Sequence, residues 1–87
     1  MHINVTVTGR VQGVGFRAGA KHKALQLKLT GWVQNQTDGS VYMEIEGDSA
    51  KIQDFLVWCK EGSFLSKVTK VVTQPGKMVP YTIFEIR

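Results

Sequence analysis

Arg17 and Asn35 are the two side chains whose type and setting suit chemistry on an anion. Arg17 closes the run Gly9-Arg10-Val11-Gln12-Gly13-Val14-Gly15-Phe16-Arg17, in which three glycines fall within seven positions. Glycine lets the main chain approach a ligand closely, and a helix starting directly after such a loop aims unpaired N–H groups at it. The guanidinium of Arg17 adds a permanent cation with a forked set of donors that matches phosphate or carboxylate. A cation in the first turn of a helix is opposed by the positive end of the helix dipole, and an anion held between the two relieves that conflict. Taken locally, the same pattern is also a plain glycine-rich turn. It is not a Walker loop, since no Gly-Lys-Ser/Thr closes it, and it lacks the third glycine and the later acidic residue of a dinucleotide fingerprint.

Asn35 stands just before the turn Thr37-Asp38-Gly39-Ser40. An asparagine there either satisfies main-chain groups of the turn or presents an amide that holds a water. The amide is neutral at any working pH, so it orients water but is a poor general base.

No rival set of groups forms. His2 and His22 have no acidic or cysteine neighbours at ligand spacing, so no metal site is expected. Glu44 and Glu46 share one face of a strand and read as a solvated face rather than an acid–base pair. Cys59 is the only cysteine and falls on an apolar helical stripe, so it reads as a small buried hydrophobe. Tyr42 and Trp58 read as exposed aromatics. A sheet that reads RNA needs aromatics on its inner strands, where this chain offers Asn4, Thr6 and Thr8.

The elements that must position Arg17 and Asn35 follow from hydrophobic period. Residues 3–8 alternate as a half-buried strand, with Ile3, Val5 and Val7 on one side. The spacing of Phe16, Ala20, Ala24 and Leu27 predicts a helix from about Phe16 to Leu27, in which Gly19 costs about 1 kcal/mol relative to alanine. Thr30–Asn35 and Val41–Glu46 are strands joined through Asp38-Gly39. Ile52, Phe55, Leu56 and Cys59 mark a second helix, with Gly47-Asp48-Ser49 before it and Gly62 after it. Lys67–Gln74 is a fourth strand, Pro75-Gly76 a turn, and Thr82, Phe84 and Ile86 alternate on a last strand. The order β-α-β-β-α-β with an extra strand predicts an α+β, ferredoxin-like sandwich, both helices lying on one face of one sheet.

Composition sets the bounds. Eighty-seven residues make one domain, 1–87, which buries about 60–65% of its unfolded surface. A net charge of +4 suits anionic ligands, but the basic residues are scattered, so nucleic acid is not an expected partner. No apolar run reaches the length of a membrane span and Met1-His2-Ile3-Asn4 is no signal core, so the expectation is a soluble cytoplasmic protein, with a monomer as the default.

The run Gly9 to Arg17 resembles the first signature of the acylphosphatase family. Gly31-Trp32-Val33-Gln34-Asn35-Gln36-Thr37-Asp38-Gly39-Ser40-Val41, with Glu46-Gly47 beyond it, resembles the second. The resemblance also takes in the closing Phe84-Glu85-Ile86-Arg87 and so covers nearly the whole chain. It implies sheet order 4-1-3-2 with a fifth edge strand, and hydrolysis of acyl phosphates to carboxylate and inorganic phosphate without metal or cofactor. By resemblance, Arg17 and Asn35 are the catalytic pair, and Gln12, Gly13, Val14, Gly15, Phe16 and Arg17 form the phosphate-binding loop. Ala18 departs from the family, which usually has a larger residue there, and Lys28 stands where the family often has glycine. The competing readings are an anion- or nucleic-acid-binding module without turnover, and an interaction domain with an open sheet edge.

Overall fold

A computed structural model describes all 87 residues. Its elements are β1 (His2–Arg10), α1 (Phe16–Gln26), β2 (Thr30–Asn35), β3 (Val41–Glu46), α2 (Ser49–Glu61), β4 (Lys67–Pro75) and β5 (Phe84–Ile86). They build one five-stranded sheet in the order β4-β1-β3-β2-β5. Neighbours are antiparallel except β2 and β5, which run parallel. The expected α+β architecture and strand order are both present.

Alternation on the strands decides which side is covered. Ile3, Val5 and Val7 of β1 and Val41, Met43 and Ile45 of β3 are buried beneath the helices. Phe16, Ala20 and Ala24 of α1 and Ile52, Phe55 and Cys59 of α2 close the same core from above. Each large side chain buried there contributes about 1.5–3 kcal/mol. Burial pushes the Cys59 thiol up from its ordinary range, so it stays neutral and acts as a packing residue. Helix α2 starts at Asp48, whose carboxylate accepts from the Ala50 N–H at 2.8 Å, and ends at Gly62.

Three expectations are corrected. Trp58 is half-buried rather than exposed, packed against Phe16 with ring centroids 5.1 Å apart and against Phe55 at 6.0 Å. That packing also accounts for Gly19. A Cβ added there would stand 2.8 Å from Trp58 Cζ2, so the helix accepts a poor helix former in order to seat the indole. Glu46, taken as solvated, is 2% exposed. Its carboxylate accepts from the Val79 and Tyr81 N–H groups, each at 2.7 Å, and lies 2.6 Å from His2 Nδ1. These groups hold the chain that crosses the far side of the sheet from β4 to β5. For the same reason β5 begins at Phe84 rather than Thr82, because the N–H groups of Val79 and Tyr81 are committed to Glu46 and only Ile83 onward reaches β2.

Candidate active site

The loop between β1 and α1 takes its shape from two glycines. Gly13 and Gly15 have φ of 73° and 79°, a left-handed conformation costly for residues with a Cβ. A Cβ at either position would meet nothing within 4 Å, so the requirement is conformational and not one of space. Val11 and Phe16, both buried, pin the two ends of the loop to the core. Ser63 Oγ donates to the Val14 carbonyl at 2.9 Å and steadies its middle.

Gly15 caps α1 with no side-chain hydrogen bond, and the first turn carries no acidic residue. The first main-chain hydrogen bond of the helix runs from Gly19 N–H to the Gly15 carbonyl, which leaves the N–H groups of Gly13 to Ala18 without partners inside the protein. Together with the helix dipole they make a positive concavity. A hollow of about 180 Å³ lies there, lined by Val11, Gly13, Gly15, Phe16, Arg17, Ala18 and Ile86. Arg17 is half-buried on its wall, and its guanidinium donates to the main-chain oxygen of Arg87 at 3.5 Å.

Asn35 reaches the same end of the sheet. It closes β2, two residues beyond Val33, which pairs with Ile86 and accepts the Arg87 N–H at 2.8 Å. Asn35 Oδ1 is buried and has no hydrogen-bond partner. A buried acceptor left open loses about 1–3 kcal/mol, so it is a position prepared for a donor. The turn after Asn35 is rigid: Asp38 accepts from the Ser40 hydroxyl at 2.6 Å and the Ser40 N–H at 2.9 Å. These bonds hold the Asp38 carboxyl below the ordinary carboxylate range.

The structure therefore brings the glycine loop, Arg17 and Asn35 to one end of the sheet. Of the residues singled out in the loop, Phe16 has only its main chain to offer, since its ring belongs to the core. Gln12 also turns its side chain away, donating from Nε2 to the Gln36 carbonyl at 2.7 Å and to the Ser40 carbonyl at 2.9 Å. Sequence reasoning missed the contribution of Ile86 and Arg87. A closing strand was legible in their alternation, but no local signal places that strand parallel to β2, beside the glycine loop. Chemically, the arrangement can seat an oxyanion on N–H groups and a guanidinium while an amide oxygen accepts from a neighbouring water.

A family described as "Acylphosphatase" matches residues 3–86. The acylphosphatase of Geobacillus kaustophilus is 45% identical over 84% of this chain and 78% of its own. "Acylphosphatase 2" of Ralstonia nicotianae is 41% identical over 100% of this chain and 93% of its own. The crystal structure of acylphosphatase from Bacillus subtilis superposes with a TM-score of 0.96 at 38% identity, covering 99% of this chain and 97% of that one.

Proposed function

The chain belongs to the acylphosphatase family, and from that premise we propose that it hydrolyses the carboxyl–phosphate bond of acyl phosphates with Arg17 and Asn35 as its catalytic residues. The observation that carries the assignment is the open, buried Oδ1 of Asn35 on the hairpin that Gln12 ties to the glycine loop. A module that only bound anions would need the cradle of donors but not an unpaired amide acceptor on the neighbouring hairpin.

In the proposed reaction the N–H groups of Gly13 to Arg17 and the Arg17 guanidinium take the phosphoryl oxygens. Asn35 Oδ1 accepts from a water and aims its oxygen at phosphorus, opposite the acyl oxygen. The new P–O bond forms as the bond to the acyl oxygen breaks, and the carboxylate leaves with the electron pair. The water proton passes to a phosphoryl oxygen, which gives inorganic phosphate. Charge on the in-line transition state is stabilised by positioned donors rather than by a covalent intermediate or a metal. Because a carboxylate leaves readily, no general acid is required. The enzyme is proposed to act as a cytoplasmic monomer on small substrates.

Hydrolysis of benzoyl phosphate by the wild type, Arg17→Ala and Asn35→Ala tests this. Each variant is expected to lose about 100-fold or more in kcat. Inorganic phosphate still inhibits Asn35→Ala competitively but not Arg17→Ala. A wild type no faster than buffer sinks the proposal, and full activity in Asn35→Ala removes its water-orienting role.

A further inference from the structure

The largest hollow on the molecule is not the one at the glycine loop. It measures about 520 Å³ and is lined by Lys21 and Leu25 of α1, by Lys28, Leu29 and Thr30 just after it, and by Thr82, Ile83 and Phe84 at the start of β5. It lies between the same two elements as the smaller hollow and follows it in order. Along α1 the lining runs Arg17 and Ala18, then Lys21 and Leu25, with Lys28 just past the end of the helix. Along the closing segment it runs Ile86, then Phe84, Ile83 and Thr82. Arg17, Lys21 and Leu25 are spaced four apart, so they share one side of the helix, and Lys28 follows in the turn that closes it. The rise of α1 puts Lys21 about 6 Å and Leu25 about 12 Å beyond Arg17.

The chemistry of this groove has two parts. Leu25, Ile83 and Phe84 give it an apolar middle, and Leu25 and Ile83 stay exposed, at 56% and 62%. Lys21 and Lys28 flank that middle, no acidic residue lines it, and neither lysine forms an ion pair. Lys28 closes α1: its positive φ of 57° belongs to the C-terminal turn of the helix, in which the Lys28 N–H donates to the Leu25 carbonyl at 3.2 Å and the Leu29 N–H to the Ala24 carbonyl at 2.9 Å. That turn leaves its side chain, a cation, on the rim of the groove.

We propose that this groove receives the acyl part of the substrate and favours acyl phosphates that carry a second anionic group at the far end of an apolar chain. The inference rests on the acyl-phosphate reading of the site and adds a substrate class to it. Phosphate sits at the glycine loop, the chain lies over Leu25 and Ile83, and the distal anion meets Lys21 and Lys28.

The test compares adipoyl monophosphate with hexanoyl phosphate, which has the same chain length and no distal charge, using benzoyl phosphate as reference. The enzymes are the wild type, Lys21→Gln, and Lys21→Gln with Lys28→Gly. The glycine relieves the backbone at position 28, so Tm is held or raised while the cation is removed. The wild type is expected to favour the adipoyl substrate about fivefold in kcat/KM, as exposed ion pairs allow, and to lose that preference at high salt. The double variant brings the ratio to about one and leaves benzoyl phosphate hydrolysis unchanged. A separate titration with adipate, followed by NMR, is expected to shift the amide signals of Lys21, Leu25 and Ile83 in the wild type only. A ratio of one in the wild type, or a preference that survives in the double variant, overturns the proposal while benzoyl phosphate turnover keeps the reaction standing. If adipate titrates the groove and no acyl phosphate is hydrolysed, the groove stands as a dianion site and the reaction assignment falls.

Discussion

Gln12 donates its side-chain amide to the Gln36 carbonyl oxygen at 2.7 Å, and so ties the glycine loop to the turn that follows Asn35. A second bond from the same nitrogen reaches the Ser40 carbonyl at 2.9 Å. The two halves of the site, set side by side by the pairing of β1 and β2 with β3, are joined directly by this side chain.

Replacing Gln12 by Met keeps the length of the side chain and removes both donors. The two carbonyls keep main-chain partners, Gly39 N–H on Gln36 and Gln36 N–H on Ser40, so the loss costs only about 0.5–1.5 kcal/mol of stability. Loop and amide then move independently, so kcat is expected to fall about tenfold or more while KM changes little. Steady-state kinetics with benzoyl phosphate check the split. A variant with normal kcat would show that the site holds its spacing without Gln12.

Gly19→Ala is expected to destabilise, although alanine is the better helix former by about 1 kcal/mol. The new Cβ stands 2.8 Å from Trp58 Cζ2, and the indole is held by Phe16 and Phe55. Overpacking of this kind costs about 1–3 kcal/mol, which outweighs the helical gain. Urea unfolding measures the difference, and Gly19→Ala combined with Trp58→Phe, which removes the atoms in conflict, is expected to recover most of it.

Glu46→Gln tests the fastening of the chain that leads into β5. Burial pushes the Glu46 carboxyl up, but the hydrogen bonds from His2, Val79 N–H and Tyr81 N–H and the charge of His2 outweigh it and hold the carboxyl below its ordinary range. A carboxyl lowered in the folded state contributes stability above its unfolded pKa of about 4.3, and that stability is lost as pH falls through the folded value. Neighbouring carboxylates, including Glu44 at 3.3 Å from His2 Nε2, share the region. The substitution is expected to cost about 3 kcal/mol near neutral pH. The gap from the wild type should narrow as pH drops below about 4, in unfolding curves measured across the acid range.

The pH profile of kcat follows from the catalytic pair. A guanidinium keeps its charge throughout and a carboxamide does not ionise, so neither group titrates near neutrality. With the substrate phosphate taking the water proton, kcat is expected to be nearly flat from about pH 8 down to about pH 5, below which the carboxylates of the fold begin to titrate. A bell-shaped profile with two limbs near neutrality would require a general acid and base that the proposed mechanism does not use.

Much of this was legible in the chain itself. Local rules reach as far as the elements: alternation fixes the strands, the three-and-four spacing fixes α1 and α2, and Asp38-Gly39 fixes the hairpin. Arg17 and the loop before it are also local, because backbone conformation at Gly13 and Gly15 depends on the missing Cβ and on nothing distant. What depends on partners far away in sequence was decided only in three dimensions. Period two places Glu46 on the far face of β3, but its burial follows from His2, Val79 and Tyr81, which lie 44, 33 and 35 residues away. Helix propensity penalises Gly19 without revealing that Trp58 needs the space. The parallel pairing of β5 with β2 brings Ile86 and Arg87 to the glycine loop and opens the long groove beside α1, and no residue of β5 announces that neighbour. The sequence by itself determined the elements and the chemistry they carry, since those rest on conformation and period. The tertiary structure decided which groups meet, since burial and hydrogen bonding are properties of pairs.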